Sequence, residues 1–201
     1  MTSWDSPESG IQFSGKTPLF PLPGATLFPN VLLPLHIFEP RYRCMVEDVL
    51  KSDRLIAIAM LKDGWESSYE TKTCPIHETV CLAQVIADEC LEDGKYNLLT
   101  QGVCRARLIG EEQTDLPYRI GQLEVVEDEY PLPPVIDRIR RQQELVSAHA
   151  MRLDPFHAHR LLEQADVDQR SDLVLELLKL QCREPILPSG KRQFPPGFSL
   201  N

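Results

Sequence analysis

The first fifty residues change hydrophobic period once, and the change separates a β-forming half from a helix. Prolines 18, 21, 23, 29 and 34 interrupt apolar runs too short for helices, so 19–22, 26–28 and 31–38 are predicted as short strands or extended segments. Pro23-Gly24 supplies a turn, because proline presets its φ and glycine accepts a positive one. Beyond Phe38 the apolar residues Tyr42, Met45, Val46, Val49 and Leu50 recur at i, i+3, i+4, i+7 and i+8, opposite Arg41, Arg43, Glu47, Asp48 and Lys51. That spacing predicts an amphipathic helix. Pro40 fits its first turn, where a missing N–H costs nothing, and Glu39 faces its positive end.

Downstream the pattern stays β for some seventy residues. The continuous apolar run 55–61 predicts a buried strand, and 62–73 is a polar loop carrying Trp65 and Tyr69, which either contact a partner or lid the core. A strand is predicted over 79–88. Asp93-Gly94 marks a hairpin turn, and strands near 95–101, 103–110 and 118–127 bring the total to about six. The acidic, proline-rich stretch 127–134 closes the β region. Helical spacing then follows in three segments: Val135 to His149, one opening at Pro155, and one capped by Ser171. Residues 1–15 read as a disordered leader, 16–130 as the β domain, 131–183 as a helical appendage and 184–201 as a proline-rich extended tail.

The run PLFPLPG…LFP…LPL.IFEPRYR closely resembles the opening of the Lon substrate-binding domain, the N-terminal domain of Lon proteases that is also found in cereblon. The resemblance continues through Asp93-Gly94-Lys95-Tyr96-Asn97-Leu98-Leu99, Gln101-Gly102-Val103, Arg105-Ala106-Arg107 and Pro117-Tyr118-Arg119, covering roughly residues 18–130 in the family's order. It implies an α+β fold, a mainly antiparallel PUA-like pseudobarrel with one packed helix, followed here by a short helical C-terminal appendage. It also implies a non-enzymatic polypeptide-recognition module acting in protein quality control. The partners it implies are unfolded or client polypeptides, with a protease or ATPase working in trans. Phe28, Val31, Trp65 and Tyr69 are the apolar and aromatic candidates for polypeptide contact, Phe28 having core packing as its competing role. The alternative is a barrel that binds a small molecule or RNA, as other PUA-like barrels do.

Composition narrows these options. A net charge of −9 works against a general nucleic-acid surface, leaving Arg105 and Arg107 as the local anion or RNA contact. Period-2 geometry places them on one strand face, where a simply solvated pair is the competing reading. The first ten residues lack the basic and apolar regions of a secretory signal, and no apolar run is long enough to span a bilayer, so the expected compartment is the cytoplasm. Six cysteines without a C-x-x-C pair are expected as free thiols in that reducing setting.

Gly10 to Thr17 satisfies the P-loop pattern G-x-x-x-x-G-K-T. A phosphate cradle needs a buried strand before it and a helix after it, whereas Pro18 and Pro21 follow. Nucleotide binding is therefore not expected. No G-x-S-x-G elbow is present, and the Ser-Lys dyad and ATPase module of a Lon protease have no counterpart beyond residue 134, so no catalytic residues are assigned. Metal ligand types occur as Cys74, His77, Cys81 and Cys90, and as His149, His157 and His159. The first group lacks a second tight pair, and His157 and His159 lie two apart on a helix, so neither a metal nor another cofactor is expected.

Overall fold

Strand β3 (Lys16–Leu22) is the first long element, and in the computed structural model it takes the place a P-loop helix would need: Gly15 turns with φ +86° and the chain extends directly from Lys16. The structure describes residues 4–5, 11–129, 136–149 and 153–183. Two short strands, β1 (Trp4–Asp5) and β2 (Gln12–Phe13), pair antiparallel ahead of β3. Phe13 and Ile11 are buried, so the expected loose leader does not reach residues 11–15; an aromatic with a place in the core outweighs the polar composition around it.

The remaining strands are β4 (Leu32–Ile37), β5 (Leu55–Met60), β6 (Thr79–Cys90), β7 (Tyr96–Glu112) and β8 (Arg119–Val126). They form one sheet in the order β4-β7-β6-β5-β3-β8, and a further β7–β8 pairing closes β3, β5, β6, β7 and β8 into a ring with β4 on its flank. All pairings are antiparallel except β3–β5, whose connection passes through β4 and helix α1 (Pro40–Leu50). This is the expected mainly antiparallel pseudobarrel with one packed helix. Two details differ. Residues 26–28 are irregular: Leu27 and Phe28 are buried, but Pro29 and Asn30, the latter at φ +64°, turn the chain before a ladder forms. The strands expected at 95–101 and 103–110 are one continuous β7.

β7 stays continuous because Gly102 permits a close approach. Any Cβ there would collide with the Phe28 carbonyl, and the same stretch is fixed by Asn30 N–H to Gly102 O (2.8 Å) and Gly102 N–H to Val31 O (3.0 Å). β5 explains its own unbroken apolar sequence. Leu55, Ala57 and Ala59 join Phe13, Leu19, Leu82, Ala106 and Leu123 inside the ring, while Ile56 and Ile58 join the outer cluster with Phe20, Met45, Val46 and Val49. A strand covered on both faces has no polar side to display.

Helices α2 (Ile136–His149), α3 (Pro155–Glu163) and α4 (Val167–Arg183) complete the described chain. Val146, Leu161, Leu162, Val174 and Leu177 enter the same outer cluster, so these helices share a core with α1. Asp154 caps α3, accepting from His157 N. α4 begins four residues before Ser171: Asp166 accepts from Gln169 N (3.0 Å), and the Ser171 hydroxyl bonds back to the Val167 carbonyl (2.8 Å) as a residue within the helix does. Sequence 184–201 lies outside the described residues.

A buried charge cluster fastens this helical region to the ring. Arg105 of β7 is 2% exposed; its guanidinium donates to Asp128 and to the carbonyls of Glu127 (3.2 Å) and Leu162 (3.3 Å). Arg170 of α4 reaches the same carboxylate at 2.7 and 3.2 Å. The Arg–Asp–Arg bridge thus ties β7 and α4 to the chain leaving β8. Arg105→Ala is expected to cost about 1–3 kcal/mol in denaturant unfolding, because it leaves two carbonyls without their donor and Asp128 with Arg170 alone. Arg107→Ala, at an exposed position, should stay within about 0.5 kcal/mol; equal losses for the two variants would refute the bridge.

Candidate functional site

Two surfaces result from this framework. The first is the loop at 62–73, whose position is set by the start of α1. Glu39 accepts from the Tyr69 hydroxyl at 2.8 Å and from Arg41 Nε at 3.0 Å, with Arg41 Nη2 in ion-pair contact at 2.8 Å, while Arg41 donates to the Tyr69 carbonyl at 2.9 Å. The Arg41 guanidinium also lies over the Tyr42 and Tyr69 rings, 4.5 and 5.0 Å from their centroids. Burial pushes the Tyr42 phenol up to about 12, and burial together with the bond to Glu39 also raises Tyr69, so both hydroxyls stay protonated across the physiological range. Burial works against the Arg41 charge, but Tyr42 and Glu39 outweigh it and the guanidinium's pKa lies above its ordinary value. The FEPRYR word therefore encodes a clamp. Arg43 completes it from the far side, lying against the Asp93-Gly94 turn where a side chain at Gly94 would strike it.

Beside the clamped loop is a cleft of about 350 Å³ lined by Lys72, Glu111, Thr114, Tyr118 and Arg119 among others. Its charges are already engaged: Arg119 forks onto Glu111 (2.7 and 2.5 Å) and donates to the Cys74 carbonyl (2.7 Å), and Tyr118 donates to Asp48 (2.7 Å). Such a cleft is polar and self-paired.

The second surface is the outer face of the β4–β7–β6 wing. Register sets Pro34 beside Leu99 and Leu99 beside Ala87, with Leu32 beside Gln101 one step along. Leu32 is 50% exposed, and Ile86, at the β6 bulge, 43%. The next row is polar, His36 to Asn97 (2.9 Å) and Asn97 to Glu89 (2.9 Å), with exposed Phe38 stacked 6.2 Å from His36. An apolar strip bounded by a hydrogen-bonded polar row has the composition of a contact surface.

The residues anticipated for polypeptide contact divide accordingly. Phe28 (2% exposed) and Val31 are core side chains, because the 26–31 segment folds inward beneath Gly102, so they are removed from the contact set. Trp65 and Tyr69 are half-buried, edge-to-face at 5.2 Å, and pack on the ring's inner cluster, which favours the lid role. Arg105 is withdrawn into its bridge, which overturns both the solvated-face and the anion-site expectations for it; Arg107 is exposed, opposite Glu124 in register. Leu32, Phe38 and Ile86 escaped notice because their exposure depends on a bulge and on a sheet edge. Alternation along Leu32, Pro34 and His36 was the available signal.

Of the ligand types weighed for a metal, Cys74 and Cys81 are buried and Cys90 is exposed. His77 instead meets His159, with ring centroids 4.0 Å apart. Burial raises the Cys81 thiol and pushes Cys104 up to about 12, leaving both poor nucleophiles.

The family model for the ATP-dependent protease La (LON) substrate-binding domain matches residues 16–144. The chain belongs to the Lon substrate-binding domain family. Among curated relatives, Lon protease 2 of Syntrophobacter fumaroxidans is 24% identical over 144 residues, covering 69% of this chain and 18% of that protein. The Lon protease of Azorhizobium caulinodans is 25% identical over 213 residues, covering 88% and 24%. The chain thus spans a quarter or less of the length of these relatives. Two solved structures share the fold. The N-terminal domain of Mycobacterium avium complex Lon protease aligns with TM-score 0.60 and 13% identity over 82% of this chain and 98% of that one. The Lon N-terminal domain protein from Xanthomonas campestris aligns with TM-score 0.56 and 20% identity over 85% and 99%. No helix among the described residues is long and apolar enough to cross a membrane.

Removing the clamp should free the Lon-domain loop. Glu39→Ala is expected to cost about 1–3 kcal/mol and to speed tryptic cleavage at Lys62 and Lys72 several-fold; an unchanged cleavage rate would show that Glu39 does not restrain it. Alkylation at about pH 8 should mark exposed Cys90 well before Cys81 and Cys104, read by peptide mass spectrometry, and equal labelling would contradict their burial.

Proposed function

We propose that this chain is a non-enzymatic polypeptide-recognition module serving protein quality control, and that it holds unfolded or client segments on the β4–β7–β6 wing. The observation that carries this reading is the strip of exposed Leu32, Pro34, Ala87 and Ile86 with half-buried Leu99, beside the free long edge of β4, which has no strand partner on its outer side among the described residues. A segment laid along such an edge gains main-chain hydrogen bonds and apolar contact together. Pro34 removes one donor from β4 and keeps the edge from pairing along its whole length.

The substrate-binding description of the family supports the same reading, and a protease or ATPase acting in trans supplies the catalysis. Trp65 and Tyr69 serve as a lid that keeps the neighbouring face rigid. Cytoplasmic residence fits the free thiols. The RNA alternative has lost its main local support with the engagement of Arg105.

The test is binding of a reduced, carboxymethylated model polypeptide by the full chain, followed by fluorescence anisotropy. Leu32→Ser with Ile86→Ser is expected to weaken binding about tenfold, roughly 1.4 kcal/mol, with the circular dichroism spectrum unchanged. Undiminished binding by that variant would move the contact elsewhere. Salt-sensitive RNA binding by the wild type in place of polypeptide binding would replace the proposal.

A further inference from the structure

His77, His159 and Glu163 lie 82 and 86 positions apart along the chain from the first to the other two, yet their donor atoms all fall within 4.8 Å of one another. His77 follows the short bridge between Leu61 and Ile76, its backbone N–H held by the Met60 carbonyl at 2.9 Å. His159 and Glu163 occupy one face of α3, one turn apart. The cluster therefore spans the junction between the ring and the helical region.

His159 is 3% exposed, and neither of its ring nitrogens has a hydrogen-bond partner. A buried imidazole without partners is costly and uncommon, since buried polar atoms are nearly always satisfied. Glu163 Oε1 lies 3.3 Å from its Nε2, an ion-pair distance without hydrogen-bond alignment. That separation equals the edge of a tetrahedron with metal bonds of about 2.0–2.1 Å, roughly 3.3 Å. The wider pairs in the cluster, within 4.8 Å, need up to about 1.5 Å of closure to reach that edge, to be supplied by rotation of exposed Glu163 or half-buried His77.

Both imidazoles favour the neutral, metal-binding form. Burial lowers His77, helped by Lys62, and burial lowers His159, helped by His77. The charges facing the cluster are Lys62, which opposes a cation, and Asp63 and Glu163, which favour one.

We propose that His77, His159 and Glu163 form a binding site for a transition-metal dication, zinc foremost, that pins α3 to the ring. Two imidazole nitrogens and one carboxylate suit zinc, with water completing four-coordination. The site uses none of the residues of the polypeptide-binding wing, so it stands or falls independently of that function.

The test uses the full chain, stripped with chelator and kept reduced, titrated with zinc and with cobalt(II). One equivalent is expected to bind and raise the melting temperature, and the cobalt adduct should show d–d bands without a thiolate charge-transfer band. His77→Ala and Glu163→Gln, both at positions not fully buried, should each weaken binding at least tenfold while leaving the metal-free melting temperature near that of the wild type. His159→Ala should abolish it. Binding that survives His77→Ala and Glu163→Gln, a sulfur-to-cobalt band, or no uptake at micromolar metal would each overturn the proposal.

Discussion

β7 has three strand neighbours, and this single constraint organises the molecule. Its first half is hydrogen-bonded to β4 and β6, its second to β6 and β8, so one 17-residue strand both carries the exposed wing and closes the ring. A strand that long must twist, and register shifts near Ala83, Ala87 and Gly110 are the irregularities that accompany stronger local twist. Gly102 stands in the first half of β7, where the 26–31 segment crosses. From this follow the inward course of Phe28, the free edge of β4, and the placement of Arg105 where helices from the C-terminal region cover it.

The family's recurrent words perform structural tasks in this chain. Glu39 and Arg41 hold the 62–73 loop, Arg43 abuts the Asp93-Gly94 turn, Tyr118 reaches Asp48 of α1 and Arg119 holds the Cys74 carbonyl. These contacts tie the motifs to the 62–73 loop, the 93–94 turn, α1 and the Cys74 carbonyl. Leu32 and Ile86, exposed on the wing, lie outside these words.

Sequence reasoning succeeded where the governing contacts are local. Apolar residues at helical spacing revealed α1 and an uninterrupted apolar run revealed β5, because each records its own burial. It failed where a distant partner decides. Arg105 looks like a surface cation until Asp128 and Arg170 are brought to it, 23 positions on and on α4. His77 and His159 fell into separate groups because their proximity exists only once α3 docks. Ser171 was a reasonable cap, and Asp166 displaced it because the Glu129–Asp166 bridge already fixes where α4 starts. Ile86 needed a bulge, which has no signature in a single chain.

Ring closure also sets a timetable for synthesis. Lys16 of β3 pairs with Gln122 of β8, so on a ribosome adding about 5–20 residues per second the first long strand waits several seconds or more for that neighbour. Its parallel companion β5 emerges much sooner, leaving one side of β3 uncovered while the nascent chain grows. Pro18 and Pro21, which lack amide hydrogens, sit in that strand and make it a poor template for a stray neighbouring chain during the delay.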